Sequence, residues 1–382
     1  MANIYDYVSW RGDLEFYRDP FNPVDNAIFS QLAYLPMDDF VPGPGDSRSI
    51  SIEKAGKISE EKYRKYLSAF NDDITISLGV NIMQAVREAP RFKNCELFGF
   101  VNNIDFIKDK QFSAYCARIS RKRSPGITVV VFRGTDLNLA GWKEDMNMSF
   151  SNTIPAQKEA VSYLEKMSER FPDPIIVTGH SKGGNLAIYA SAFCSEATQK
   201  RINAVYSNDG PGFHEKLIQS RGYQAILGRI QAFIPQSSLV GMLFEHGETP
   251  AVVKSTAIGL MQHDMSSWKV ASNNFVKSEL TSQSLFTDKV LRDWLNRIDE
   301  EQKEVFIETI YRVITAGNAQ SLNDIPSDII GTISGVISTV KNMDAKTKKI
   351  VQKIIRDLFK VTGKNLRDRI SRAEKGLLSG TH

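Results

Sequence analysis

The segment IIVTGHSKGG, Ile175 to Gly184, constrains this chain more than any other. A run rich in β-branched residues ends in Gly-His-Ser-Lys-Gly-Gly, and the apolar stretch NLAIYASAF follows at once. Such a run suits a central strand covered on both faces, and the stretch after it suits a buried helix. Gly179 and Gly183 stand two residues either side of Ser181, where a side chain would collide across a sharp strand-to-helix turn. Gly184 lets the helix pack close to the strand. The G-x-S-x-G spacing alone is weak, arising by chance on the order of a tenth of the time in a chain this long. Between a strand and a helix it becomes specific. The serine hydroxyl is then thrust above the C-terminal edge of the sheet, and the Lys182 N–H points to where an oxyanion would form.

The surrounding pattern agrees. Strands are expected at Glu96–Val101, Phe112–Ile119, Ile127–Phe132, Ile175–Thr178, Ala204–Ser207, Arg229–Ile234 and Ala251–Ser255, with helices at Ala156–Phe171 and Asn185–Thr198. This alternation predicts a mostly parallel central sheet flanked by helices, with a helical C-terminal extension, and with the elbow motif it makes an α/β-hydrolase fold the expectation. Before it, Asp25–Phe40 opens with helix-capping chemistry and sets Ile28, Leu32 and Leu35 on one face; a polar helical stretch spans about Ile52–Phe70. The catalytic domain is assigned to residues 1–280, its helical N-terminal segment covering about 20–90, and the helical C-terminal region to 281–382.

Composition narrows the classes. With 42% hydrophobic and 24% charged residues the 382-residue chain can bury a large core. No run approaches the ~18 uninterrupted apolar residues of a membrane span, and the N-terminus lacks a signal-peptide pattern. Three cysteines without metal or redox spacing read as buried small hydrophobes. A cytoplasmic location is expected. From Lys341 to Lys375, 12 Lys/Arg face 4 Asp/Glu, although the whole chain carries only +4. The amphipathic spacing of Ile350, Val351, Ile354, Ile355, Leu358 and Phe359 there reads first as a docked helix, and second as peripheral attraction to anionic lipid at the inner membrane surface. Nucleic acid is not an expected partner, because no aromatic or glycine-rich motif accompanies the charge.

A serine nucleophile needs a base, and the chain has five histidines. His180 precedes the serine and should turn away from it; His382 is the last residue. The chain order Ser, acid, His, with the histidine after the last strand, selects His263 in MQHDMSSW. His246 ranks second, and His214 lies too close to the Asp209 turn.

The segments DNAIFSQLAYL, VVFRGTD, TGHSKGGNLAIY, NDGPGF, IPQSSLVGML and QHDMSSW resemble a bacterial lipase-like family catalogued as a domain of unknown function, over roughly residues 20–320. FRGT with Trp142 and Asp145 is similar to the fungal-type class 3 lipases. That similarity implies that Thr135 supplies an oxyanion N–H and hydroxyl. It also implies a lid at 139–150 with Trp142, Met146, Met148 and Phe150 as apolar contacts. In those lipases the acid sits in a turn resembling IPQSSLVG, which here holds Ser237 and Ser238 and no carboxylate. Asp209, after the strand that follows the elbow helix, resembles in position the acid of pancreatic-type lipases and is assigned the role. Glu245 and Asp264 are weaker alternatives. Lys182 departs from the apolar residue usual in fungal-type lipases, which speaks against long-chain triglyceride.

The expectation is therefore a serine esterase with catalytic Ser181, Asp209 and His263 and oxyanion donors Thr135 and Lys182. It would act without cofactor or metal on a small or lipid-like acyl ester. An acyltransferase or thioesterase of the same fold, and a catalytically silent lipid-binding or membrane-surface protein, stay open.

Overall fold

The computed structural model of the protein describes residues 2–64, 74–105, 110–120, 125–134, 154–238, 240–257 and 259–281. One compact unit comprises Met1–Ala257 with Gln262–Thr281; the other, Ile258–Met261 with Ser282–His382, falls almost wholly outside the described residues. The basic stretch 341–375 is among the latter.

Eight strands lie side by side in chain order: β1 (Ile50–Ser51), β2 (Glu96–Asp105), β3 (Lys110–Ile119), β4 (Ile127–Phe132), β5 (Ile175–His180), β6 (Ile202–Asn208), β7 (Ile230–Pro235) and β8 (Ala251–Val253). The first four pair antiparallel, and β4 through β8 pair parallel. Helices α1 (Ile4–Arg11), α2 (Pro23–Leu32), α3 (Ile52–Lys62) and α4 (Ile74–Val86) precede β2. After β4 come α5 (Pro155–Ser168), α6 (Lys182–Phe193), α7 (Glu196–Arg201), α8 (Glu215–Ile218) and α9 (Arg221–Ile226).

Stepping in one direction from β4 to β7 with right-handed crossovers places the connecting helices on one face of the sheet. There Val130, Phe132, Val177 and Val205 pack with Leu164, Leu186 and Ala187. The alternate residues Val129, Val131, Ile176 and Tyr206 would be left facing water. The N-terminal helices cover them: Ile28, Phe29 and Leu32 of α2, with Val80 and Met83 of α4, form the second core. A parallel sheet needs both layers.

Helix α2 starts two residues before the expected segment, because Asn22 caps it and Pro23 takes the first helical position; Asp25 completes the capping box. It ends at Leu32, short of the expected Phe40. Asp25 then forms a buried two-point ion pair with Arg91, Nε to Oδ1 at 2.7 Å and Nη2 to Oδ2 at 2.5 Å, and Tyr7 donates to Oδ1. This pair ties α2 to the approach of β2. The single helix expected over Asn185–Thr198 is two, α6 and α7, separated where Cys194 becomes extended and Ser195 caps α7.

Candidate active site

The last residue of β5 is His180 and the first of α6 is Lys182, so Ser181 alone makes the turn. Its backbone is left-handed, φ 58° and ψ −132°, a conformation a serine adopts only when its surroundings over-determine it. Its N–H donates to Asn208 O at 2.9 Å, and its carbonyl accepts from Gly184 N at 2.8 Å. A Cβ on Gly183 would lie 2.1 Å from Phe132 O, and one on Gly179 2.1 Å from Gly183 O, so neither position admits a side chain. Lys182 takes the first helical position of α6, where the helix dipole adds positive potential. The Lys182 side chain is buried, its Nζ donating to Gln111 O at 3.0 Å.

Asp209 follows β6 and continues its ladder, its N–H donating to Phe233 O at 2.8 Å. Its carboxylate is buried. Oδ1 accepts from Ser238 Oγ at 2.5 Å and from Gly241 N at 3.2 Å; Oδ2 faces His263 Nδ1 at 2.7 Å. Thus the turn IPQSSLVG, which holds no acid, supports one that stands a strand earlier. A carboxylate can only accept, so it fixes His263 with its proton on Nδ1 and leaves Nε2 able to take a proton. The carboxylate side chain is 1% exposed and the imidazole 22%, so the ring reaches solvent while its partner does not.

His263 ends a short 3-10 helix, Gly259–His263. Its neighbour Gln262 anchors the loop twice: Oε1 accepts from Ser237 N at 3.0 Å, and the carbonyl accepts from Trp268 Nε1 at 2.8 Å. The His180 ring faces α2 and the His263 loop: Nε2 lies 2.8 Å from His263 O, and the two ring centroids are 4.4 Å apart. Burial holds the His180 imidazole well below the ordinary histidine range, and the His263 ring pushes in the same direction. A neutral His180 must therefore donate from Nε2 to the carbonyl and accept at Nδ1, where Tyr34 OH sits at 2.6 Å.

That burial predicts a pH dependence. The unfolded chain takes up the His180 proton below about pH 6.5, whereas the folded chain resists it. The contribution is complete above that value and falls by about 1.4 kcal/mol per unit as pH drops toward the depressed folded value. Urea unfolding at pH 7.5 and 5.5 is expected to show wild type losing more stability than His180→Asn; equal losses contradict the assignment.

The turn after β4 closes against the serine. A Cβ on Gly134 would lie 2.5 Å from Tyr34 Oη, 2.6 Å from His180 O and 2.9 Å from Ser181 Cβ. Gly134→Ala is expected to lower kcat by about 100-fold while the protein stays folded, because a displacement of about 1 Å at a nucleophile costs that much. Paired circular dichroism and ester kinetics check it. Arg133, beside it, is buried and donates to Asn102 Oδ1 at 3.0 Å. Thr135 and the lid residues Trp142, Met146, Met148 and Phe150 lie outside the described residues.

The alternatives for base and acid stand elsewhere. His214 is exposed at the start of α8, and His246 pairs with Glu248 at 3.2 Å. Glu245 is exposed, its backbone paired with Phe213, and Asp264 accepts from Ser266 N at 2.8 Å.

Ser181 at the turn after β5 and the Asp209–His263 pair beyond β6 and β8 thus stand on an α/β fold, a mostly parallel sheet flanked by helices. A family model matches residues 86–312, and this chain belongs to the Mbeg1-like family. Among solved structures it is similar to the crystal structure of M37 lipase, at 15% identity over 59% of this chain and 70% of that one, with a TM-score of 0.36. No curated protein matches it.

Among the described residues, no helix is long and apolar enough to cross a membrane.

Proposed function

We propose that this protein hydrolyses carboxylic esters through a covalent acyl-enzyme, with Ser181 as nucleophile, His263 as base and Asp209 as the acid that orients it. The observation carrying this reading is the 2.7 Å contact between His263 Nδ1 and the buried Asp209 carboxylate, in a chain whose β5 ends at a serine of left-handed backbone.

Ser181 Oγ attacks the ester carbonyl carbon as its proton passes to His263 Nε2. The carbonyl oxygen becomes an oxyanion facing the Lys182 N–H, with Thr135 N–H as second donor. Collapse breaks the bond to the alcohol, which leaves with the proton from Nε2. Water then attacks the acyl carbon and gives a proton to Nε2. The C–Oγ bond breaks, and that proton returns to the serine. Asp209 stays ionised throughout and stabilises each imidazolium. The substrates are small or lipid-like acyl esters, monoacylglycerol and lysophospholipid included, and residues 341–375 bring the enzyme to anionic membrane.

Turnover of a p-nitrophenyl ester series from acetate to palmitate, with 1-monoacylglycerol and lysophosphatidylcholine in parallel, tests the proposal. Release of acid from at least one member, blocked progressively by a fluorophosphonate, is the expected result. No release from any of them, with acyl transfer seen only when an alcohol or thiol acceptor is added, would replace hydrolysis by transfer.

A further inference from the structure

Helix α2 carries a polar stripe that its burial does not call for. Asn26 and Ser30 are completely buried, and Tyr34, one turn further on, is nearly so. Asn26 and Ser30 stand one turn apart, about 6 Å along the axis, and Tyr34 follows four residues later in the turn after Leu32. Facing them are alternate residues of β5, Thr178 and His180, about 6.7 Å apart along the strand. The two spacings nearly match, so Ser30 meets Thr178 and Tyr34 meets His180, while Asn26 accepts from Thr178 Oγ1 and reaches across to β6. Ser30 Oγ is 2.8 Å from Thr178 Oγ1, and Tyr34 OH is 2.6 Å from His180 Nδ1. Asn26 exchanges two hydrogen bonds with Asn208, Nδ2 to Oδ1 at 2.9 Å and the reverse at 3.0 Å; Asn208 also donates to Ser30 Oγ at 3.1 Å and Gly179 O at 3.1 Å. Asn208 in turn receives the Ser181 N–H, and Asp209 is the next residue.

A buried hydroxyl or amide costs stability unless it is fully bonded. An apolar helix would cover the sheet equally well, so this stripe has a narrower purpose. Its bonds end on Thr178, on His180 next to Ser181 and on Asn208 next to Asp209, and through His180 on the carbonyl of His263 itself.

We propose that Tyr34 and His180 are positioning residues for His263. Tyr34 OH donates to His180 Nδ1 and so places the single proton of that ring on Nε2, where it holds His263 O at 2.8 Å and fixes the loop that presents the imidazole to Asp209. The same hydroxyl lies against Gly134, so one oxygen sets both the base and the turn closing on the serine. The proposal rests on the hydrolase reading for its kinetic consequence, but not for its structural one. Tyr34 lies outside the matched family region, residues 86–312, which makes the N-terminal helical segment part of the site.

Tyr34→Phe keeps the ring and removes the donor. The expected result is a kcat lowered about ten- to a hundredfold with KM within about twofold, and an unchanged far-ultraviolet spectrum. In protein labelled with 15N-histidine, wild-type His180 should show one fixed neutral tautomer with the proton on Nε2. Tyr34→Phe should show a tautomer mixture there and a shifted Nδ1–H signal from His263. Wild-type kcat in the variant overturns the proposal, and so does a lowered kcat with both histidine signals unmoved. If wild type turns over no ester, the hydrolase reading fails, and the two signals alone decide: moved signals uphold the positioning role, unmoved ones end it.

Discussion

Ser181→Ala is expected to lower kcat for ester hydrolysis by about 10^6-fold while the chain remains folded. The size follows from covalent catalysis: without Oγ no acyl-enzyme forms, and only the oxyanion donors and binding remain to act on water. The fold should survive, because Ser181 is held by its backbone. Its N–H bonds Asn208 O and its carbonyl bonds Gly184 N, and alanine keeps both. The left-handed φ of 58° is strained for either residue. Initial-rate kinetics with an activated ester check the loss. Thermal unfolding within a few degrees of wild type excludes collapse of the site as its cause.

Asp209→Asn is expected to cost about 10^4-fold in kcat with little change in KM. The amide is the same size, and its oxygen can still accept from Ser238 Oγ and Gly241 N, the partners of Oδ1. Its NH2 then faces His263 Nδ1 at the 2.7 Å position and must donate where the carboxylate accepted. The imidazole is driven to carry its proton on Nε2, which cannot receive the serine proton. Asp264→Asn should leave kcat within about threefold, because that carboxylate is spent on Ser266. Full activity in Asp209→Asn would move the acid elsewhere.

Much of this arrangement was readable from residue order. The β-branched run Ile127–Phe132 coincides with β4, residue for residue, because a strand buried on both faces has no polar position to blur its ends. The elbow is fixed by two glycines whose absent side chains would strike backbone at 2.1 Å. Other features depended on contacts between distant segments. A β8 of three residues, Ala251–Val253, ends early where Lys254 and Ser255 pair instead with the 267–277 hairpin region. The IPQSSLVG turn looked like a site that had lost its acid; only the fold shows Ser238 and Gly241 turned onto Asp209. His180 was expected to face away from Ser181, which strand alternation makes correct. What alternation could not show is that the far face lies under the His263 loop. The signal was present as Asn26, Ser30 and Tyr34 recurring every four residues among Ala27, Ile28, Phe29, Leu32 and Ala33, a polar line that needs polar partners.

The central claim is that Ser181 is chemically activated by its neighbours. Reaction with a fluorophosphonate, followed by intact mass and peptide mapping, measures this directly. One adduct per chain, on the peptide containing Ser181 and absent from Ser181→Ala, is the predicted result. An unlabelled wild type, or an adduct on any other residue, would contradict it.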